Sequence, residues 1–179
     1  METKNNNSKE NKPKTDNGKF REFFIDQLKD IYWAEQALQK ALPKMMKAAT
    51  SKKLAHAFEK HTKETEGQIQ ILEQVFKLMG EKPESKKCEA MAGLIKEADS
   101  IIEDTEKDSY TRDAGLVLAA QKTEHYEIAS YGTLVIFAEQ MEEKEVAKLL
   151  QKILAEEKNT DISLTLISEN GVNKNAVQE

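Results

Sequence analysis

Apolar residues recur along most of this chain at alternating steps of three and four, which is the spacing of one face of an α-helix. One such seam runs over residues 24–45 and a second over 54–79. A third runs over 117–138 and a fourth over 146–167. The pattern therefore predicts four long helices of roughly 25–30 residues, each burying one face against the others.

Polar residues and glycine mark the helix boundaries. Thr50 or Ser51 is placed to cap the second helix and Asp108 or Ser109 the third, because short polar side chains accept hydrogen bonds from free backbone N–H groups. Gly80 is a typical residue after a helix C-terminus, so the second helix should end there.

The stretch 81–112 breaks this rhythm and contains only enough apolar residues, within 91–102, for one shorter helix. Short loops within each helix pair require antiparallel neighbours. The prediction is an all-α, antiparallel four-helix bundle with a long crossover that contains a short extra helix. We expect the bundle over residues 18–171 and a C-terminal tail over 172–179.

Composition narrows the class of protein further. Of 179 residues 39% are hydrophobic, and only 7 Gly and 3 Pro are present, which argues against an all-β fold. The single cysteine, Cys88, excludes a disulfide framework and any cysteine-built metal site. Residues 1–17 carry no apolar side chain after Met1 and are expected to form a disordered tail.

The chain has no apolar run of membrane-spanning length and no apolar signal-peptide core, so we expect a cytoplasmic protein. The formal net charge of −5 gives no general attraction to nucleic acid or to an anionic membrane, and neither is expected as a partner.

Polar residues interrupt the apolar seams near the middle of the predicted helices. An unpaired buried carboxylate is costly, so acids inside a bundle need a partner or a metal ion. The second helix carries two polar seam residues with an acid one step off the seam. The residues concerned are Glu35 on the first helix, His61, Glu64 and Gln68 on the second, Glu124 and Glu127 on the third, and Glu157 on the fourth.

The acids match in depth within each hairpin. Glu35 and Glu64 lie 15 and 14 residues from the first turn, and Glu127 and Glu157 each lie 15 residues from the second. At about 1.5 Å per residue, all four sit roughly 21–23 Å from their turn. This predicts a carboxylate cage for two cations such as Fe or Mn, with Zn as another option. The alternative is a set of solvated seam-edge acids paired with lysines.

Four segments of the chain resemble the YciE/YciF family, a stress-associated branch of the ferritin-like superfamily related to rubrerythrin and bacterioferritin. They are residues 28–45, 61–80, 112–134 and 149–164. The likeness covers roughly residues 20–170. It implies a ferritin-like bundle and a homodimer.

The superfamily's di-iron pattern is one Glu followed by Glu-x-x-His in each half of the chain. Carried over by this resemblance, Glu35 and Glu64 match the first half, and Glu127 or Glu124 with Glu157 matches the second. The histidines do not follow, because Gly67 and Thr160 stand at their positions.

Other side chains are candidates for the missing ligands. His61, three residues before Glu64, could supply one imidazole, and Asp161 could replace the other. Asp30 is a further candidate, because the sequence around it resembles the sequence around Glu124. Tyr131 is either a core residue or a hydrogen-bond donor to a ligand carboxylate.

These residues favour a di-metal oxidoreductase that reacts with a small oxidant, peroxide or dioxygen, although no catalytic residue is assigned. The alternative is a non-catalytic stress or structural protein with a structural ion or a degenerate metal site. Tyr32, Trp33 and Tyr126 are interpreted as surface aromatics at a subunit contact, and His125 as a surface residue.

Overall fold

The computed structural model describes residues 18–179, so the expected N-terminal tail, residues 1–17, lies outside the described part of the chain. Within that part the regular structure is helical and no strand is present. The elements are α1 (Gly18–Ala48), α2 (Lys52–Leu78), α3 (Glu89–Asp104), α4 (Tyr110–Gln140), α5 (Lys144–Ile167), a π-helical turn (Ser168–Val172) and α6 (Asn173–Ala176).

The helix boundaries follow the signals in the sequence. Ser51 caps α2, its side chain accepting a hydrogen bond from the backbone N–H of Leu54. Ser109 caps α4 by accepting from the backbone N–H of Arg112. Gly80 follows α2 with a φ of +74°, a conformation that glycine adopts without strain.

Contacts at both ends of the bundle show that α1 and α4 run antiparallel. Where α1 ends, the backbone N–H groups of Thr50 and Ser51 donate to the Asp113 carboxylate near the start of α4, at 2.8 and 2.6 Å. At the opposite end, Phe20 of α1 stacks edge-on against Phe137 of α4, with ring centroids 5.0 Å apart. Together with the short turns within each hairpin, this confirms the antiparallel four-helix bundle.

The crossover runs along the outside of α1 and α4. The backbone N–H of Lys86 donates to the carbonyl of Lys29 on α1 at 3.1 Å. At the far end of α3, the Arg112 guanidinium of α4 donates to the carbonyl oxygens of Ile102 and Thr105, at 3.0 and 2.5 Å. The extra helix predicted within the connection is therefore α3, and it packs against both α1 and α4.

Two regions depart from the simplest expectation. The segment beyond residue 171, expected as a tail, packs on the bundle, since Val172 is buried and the Glu179 carboxylate accepts from the backbone N–H groups of Tyr110 and Thr111. The interpretation of Tyr32 as a surface aromatic is wrong. Tyr32 is buried between α1 and α2, where Glu73 accepts its hydroxyl hydrogen bond at 3.0 Å.

Apolar layers fill the bundle on both sides of its middle. One layer holds Phe24, Leu72 and Phe76, and the other holds Leu42 and Phe58, among further buried residues. These layers keep water from the helix positions between them, which is where the polar seam residues lie. No helix in residues 18–179 has the length and apolar character needed to cross a membrane.

Candidate metal centre

Each of the four long helices brings a polar side chain to the middle of the bundle. Glu35 comes from α1, His61 from α2, Glu124 and Glu127 from α4, and Glu157 from α5. None of these residues is more than 2% exposed. Glu35, Glu127 and Glu157 are three of the four acids that the depth argument places at one level, and all three are buried here.

Four of these side chains form a compact group. One nitrogen of His61 and one carboxylate oxygen each from Glu124, Glu127 and Glu157 all lie within 4.8 Å of one another. His61 Nε2 is 3.2 Å from Glu124 Oε1 and 3.9 Å from Glu157 Oε2. Spacing of this kind lets several donor atoms contact one cation at the same time.

The centre also collects buried polar atoms that have no hydrogen-bond partner. Leaving one such atom unpaired costs about 1–3 kcal/mol, so native proteins contain few of them. Within residues 18–179 all nine of these side-chain atoms belong to this one region: Glu35 Oε2, His61 Nδ1 and Nε2, Glu64 Oε2, Gln68 Oε1, Glu124 Oε2, both carboxylate oxygens of Glu127, and Glu157 Oε2.

The type of these atoms fits a bound cation. Seven of the nine are carboxylate or amide oxygens and two are imidazole nitrogens, a donor set that suits Fe, Mn or Zn. The close approach of His61 to Glu124 lacks hydrogen-bond alignment, so both imidazole nitrogens remain without a partner.

Glu35 borders the group and is held by a tyrosine. Its Oε1 accepts a hydrogen bond from the hydroxyl of the fully buried Tyr131, while its Oε2 stays without a partner. Tyr131 is therefore both a core residue and a hydrogen-bond donor to a carboxylate of the centre.

Burial and mutual repulsion raise the pKa values of Glu35, Glu127 and Glu157. Burial raises the pKa of Glu35 to about 7, although the hydrogen bond from Tyr131 works against the rise. Burial, followed by the charge of Glu157, raises the pKa of Glu127 well above its usual range. The pKa of Glu157 is raised to about 10, again chiefly by burial and then by the charge of Glu35. Near neutral pH some of these carboxylates are therefore protonated unless a bound cation displaces the protons.

The pKa of His61 is also raised, but for a different reason. Burial by itself lowers its pKa, but the adjacent Glu124, Glu64 and Glu157 outweigh that effect and raise the pKa well above 6.5. The imidazolium form would then compete with a metal ion for the same carboxylates, so metal binding must release protons.

Gln68 is a member of the centre that the sequence-based site left out. Its amide nitrogen donates to Glu157 Oε1 at 2.5 Å and to Glu156 Oε2 at 3.2 Å, which fixes the orientation of the Glu157 carboxylate. The signal was its polar character at an apolar seam position, two turns after His61.

Glu64 lies at the edge of the centre. Its side chain is 24% exposed and one oxygen pairs with Lys60 on the surface. The other oxygen is buried, unpartnered and 3.9 Å from His61 Nδ1. From this position Glu64 can orient the imidazole, as carboxylates beside metal-bound histidines commonly do.

Asp161 lies on the outer side of α5, away from the group of four. It accepts from the Gln121 amide at 3.1 Å and sits 3.4 Å from Nε2 of His125, which is 70% exposed as the sequence predicts. Four residues after Glu157 correspond to about 40° of rotation around the helix, which turns Asp161 towards the surface.

Asp30 takes part in a different cluster. Its carboxylate accepts from the Tyr126 hydroxyl at 2.9 Å, and Tyr126 also contacts Cys88. The group of four does not include Asp30.

Comparison with known proteins identifies the family. Residues 19–177 match the family described as a domain of unknown function, DUF892. The chain is 51% identical over 154 residues to the protein YciF of Escherichia coli strain K12, across 86% of this chain and 92% of YciF.

Solved structures agree with this assignment. The crystal structure of the E. coli stress protein YciF matches with a TM-score of 0.83 at 50% identity, over 87% of this chain and 98% of that one. YcfI of Rhodopseudomonas palustris, whose description proposes that it is a structural protein, matches with a TM-score of 0.80 at 41% identity, over 84% and 96%. A protein from Xanthomonas campestris shares the fold, with a TM-score of 0.70 at 23% identity over 90% and 98%.

These three comparisons agree with the resemblance seen in the sequence. The chain therefore belongs to the DUF892 family, the family of YciF.

Proposed function

We propose that this protein is a ferritin-like stress-response protein that holds two Fe or Mn ions at its centre and reacts with peroxide or dioxygen. The observation that carries the proposal is the concentration of nine unpartnered buried polar atoms at one level of the bundle. A fold that buried these atoms without a ligand would lose stability and gain nothing from them.

The proposed ligands are the group of four and Glu35. Glu127 offers two free oxygens, whereas Glu124, Glu157 and Glu35 each offer one that has no hydrogen-bond partner. His61 supplies nitrogen. The four carboxylates carry four negative charges, which would balance the four positive charges of two divalent cations. A set of mainly oxygen donors with one imidazole favours Fe or Mn, with Zn as a redox-inactive competitor.

Bound Fe or Mn would supply a change of oxidation state towards the oxidant. The chain's own residues prepare the centre for this. Tyr131 and Gln68 hold the carboxylates of Glu35 and Glu157, and Glu64 faces the outer nitrogen of His61. The apolar layers on both sides limit the entry of water, so the charges interact strongly.

The relatives support the setting of this proposal. YciF of E. coli is described as a stress protein. With the sequence resemblance, this favours a cytoplasmic homodimer as the working unit and a small oxidant as the substrate, without nucleic acid or membrane as partners.

Metal analysis of isosteric variants tests the proposal. Glu127→Gln and Glu157→Gln change one oxygen of the centre, and Glu139→Gln is a matched control because Glu139 is an exposed residue on α4. Chains purified without chelator would be analysed for Fe and Mn and then mixed with peroxide. We expect the wild type and E139Q to hold close to two ions per chain and to consume peroxide, and E127Q and E157Q to lose both properties. Equal metal content in all four chains would overturn the assignment.

A structural role is the second candidate. Two observations favour it: Gly67 and Thr160 replace the histidines of the di-iron pattern, and the description of the R. palustris relative proposes a structural protein. This candidate predicts metal binding that raises the melting temperature but consumes no peroxide. A wild-type chain that binds metal and consumes peroxide, with both lost in E127Q, would exclude it.

A further inference from the structure

A hydrogen-bonded chain of three side chains joins the crossover, α4 and α1 beside the proposed centre. Cys88 Sγ lies 3.0 Å from the Tyr126 hydroxyl oxygen, and the Tyr126 hydroxyl donates to Asp30 Oδ2 at 2.9 Å. Cys88 is 2% exposed and is the only cysteine of the chain. Nothing in the proposed function uses these three groups.

The direction of the hydrogen bonds follows from their chemistry. Tyr126 has one hydroxyl hydrogen, and the Asp30 carboxylate takes it, so the phenolic oxygen can only accept from Cys88. The sulfur in turn accepts the backbone N–H of Met91 at 3.3 Å, at the start of α3. The S–H of Cys88 therefore points to Tyr126, and the O–H of Tyr126 points to Asp30.

The hydrogen-bonded side chains of Cys88, Tyr126 and Asp30 lie between the centre and a cavity. Tyr126 directly precedes Glu127 on α4, so their Cα atoms are about 3.8 Å apart. At the other end, Asp30 and Tyr126 both line a cavity of about 300 Å³ between α1 and α4. A proton that reaches Asp30 therefore lies at the wall of this cavity.

We infer that Tyr126 donates one electron to the oxidised centre, that Asp30 receives its proton, and that Cys88 then reduces Tyr126. This inference rests on the proposed function. In the first step Tyr126 would give one electron to the metal that Glu127 and its neighbours would hold, and would become a neutral phenoxyl as its O–H proton moves to Asp30. In the second step the S–H hydrogen atom of Cys88 passes to the phenoxyl, which leaves a thiyl radical.

The thiyl is returned to the thiol by one electron from a soluble one-electron reductant such as ascorbate. Its proton comes back from Asp30 through Tyr126, so the three groups regain their starting state. Phenolic O–H and thiol S–H bonds are close in strength, which allows the transfer, whereas the O–H bond of serine is much stronger and blocks it. The relay thus makes Cys88 the reductant of the centre within the chain.

The first test uses metal-free protein, so that it does not depend on the proposed function. A ruthenium photo-oxidant with persulfate generates phenoxyl radicals, which are trapped by freezing and followed by electron paramagnetic resonance. The variants are Cys88→Ser, Cys88→Ser with Tyr126→Phe, and Cys88→Ser with Tyr110→Phe as a control tyrosine that has no cysteine beside it.

We expect the phenoxyl signal to last at least tenfold longer in C88S than in the wild type. The added lifetime should be lost with Y126F and kept with Y110F, and a spin-trap adduct should form on Cys88 of the wild type only. A C88S signal that decays as in the wild type, or one that persists equally with Y126F, would overturn the relay.

The second test uses Fe- or Mn-loaded protein treated with peroxide. The same Tyr126-dependent signal in C88S supports donation to the centre. If C88S binds metal and consumes peroxide but gives no such signal, Tyr126 does not donate an electron to the centre. Failure of the chain to bind metal counts against the proposed function instead, and the metal-free test still decides whether Cys88 reduces Tyr126.

Discussion

Replacing Glu35 by glutamine should make the metal-free protein markedly less sensitive to rising pH. Glu35 is fully buried and one of its carboxylate oxygens has no hydrogen-bond partner. Glutamine keeps the shape and an oxygen that can accept from Tyr131, but it carries no charge at any pH. The variant therefore isolates the cost of ionising one acid in the middle of the bundle.

The size of the effect follows from the pKa of Glu35, which rises from 4.5 in the unfolded chain to about 7 in the folded one. Below pH 4.5 both states are protonated and the charge costs nothing. Between pH 4.5 and 7 only the unfolded chain ionises, so the free energy of unfolding falls as the pH rises. The full loss is about 3 kcal/mol, against a total stability of roughly 5–15 kcal/mol for a protein of this kind.

The neighbouring groups act in the same direction. The folded-state pKa values of Glu127, Glu157 and His61 are all raised, so each also removes stability as the pH rises. Removing the charge of Glu35 lowers the pKa of Glu157, which reduces that loss further. We therefore expect the E35Q variant to lose at least about 2 kcal/mol less than the wild type between pH 5 and 8.

Urea unfolding followed by circular dichroism at pH 5 and pH 8, with a chelator present, measures this difference directly. The control is Glu139→Gln, which changes an exposed acid and should retain the wild-type dependence on pH. If E35Q and the wild type lost the same free energy of unfolding between the two pH values, the carboxylate would not be held in an unfavourable site, and the electrostatic account of the centre would be wrong.

Two further changes test other parts of the structure. Tyr131→Phe leaves Glu35 Oε1 without its donor, so we expect the free energy of unfolding, measured with urea at pH 8, to fall by about 1–3 kcal/mol. We also expect weaker metal retention in equilibrium dialysis. Unchanged stability would show that this hydrogen bond does not stabilise the fold. Gly115→Ala places a Cβ 2.6 Å from Ile101 Cγ2 and should cost about 1–3 kcal/mol by the same assay. Gly93→Ala, whose added Cβ meets no neighbouring atom, should instead stabilise α3 by up to about 1 kcal/mol. A loss of stability in this control would mean that crowding against Ile101 does not explain the loss in Gly115→Ala.

The fold was predictable because local signals and the long-range pattern agree. Seam spacing sets which face of each helix is buried, and Ser51 and Ser109 mark helix starts by a local hydrogen bond that depends on nearby residues alone. The common depth of Glu35 and Glu157 followed from helix rise and turn position, which are also local quantities.

The details of the site depend on quantities that the sequence does not carry. His61 and Glu64 are three residues apart on nearly the same face, and a small rotation of α2 about its axis decides that the imidazole points inward. Asp161 differs from Glu157 by about 40° around α5, enough to place it at the surface. Tyr32 packs edge-on against Phe76 in the core, and its hydroxyl donates a hydrogen bond to Glu73, 41 residues away.

The position of a bound metal tests the central claim most directly. Crystals grown without chelator and soaked in Mn²⁺ would be measured on both sides of the manganese absorption edge. The account predicts anomalous peaks between His61, Glu124, Glu127 and Glu157, in contact with Glu35, in the wild type and in E139Q but not in E127Q. Crystals with no peak among these side chains, or with manganese held only at surface acids, would contradict it.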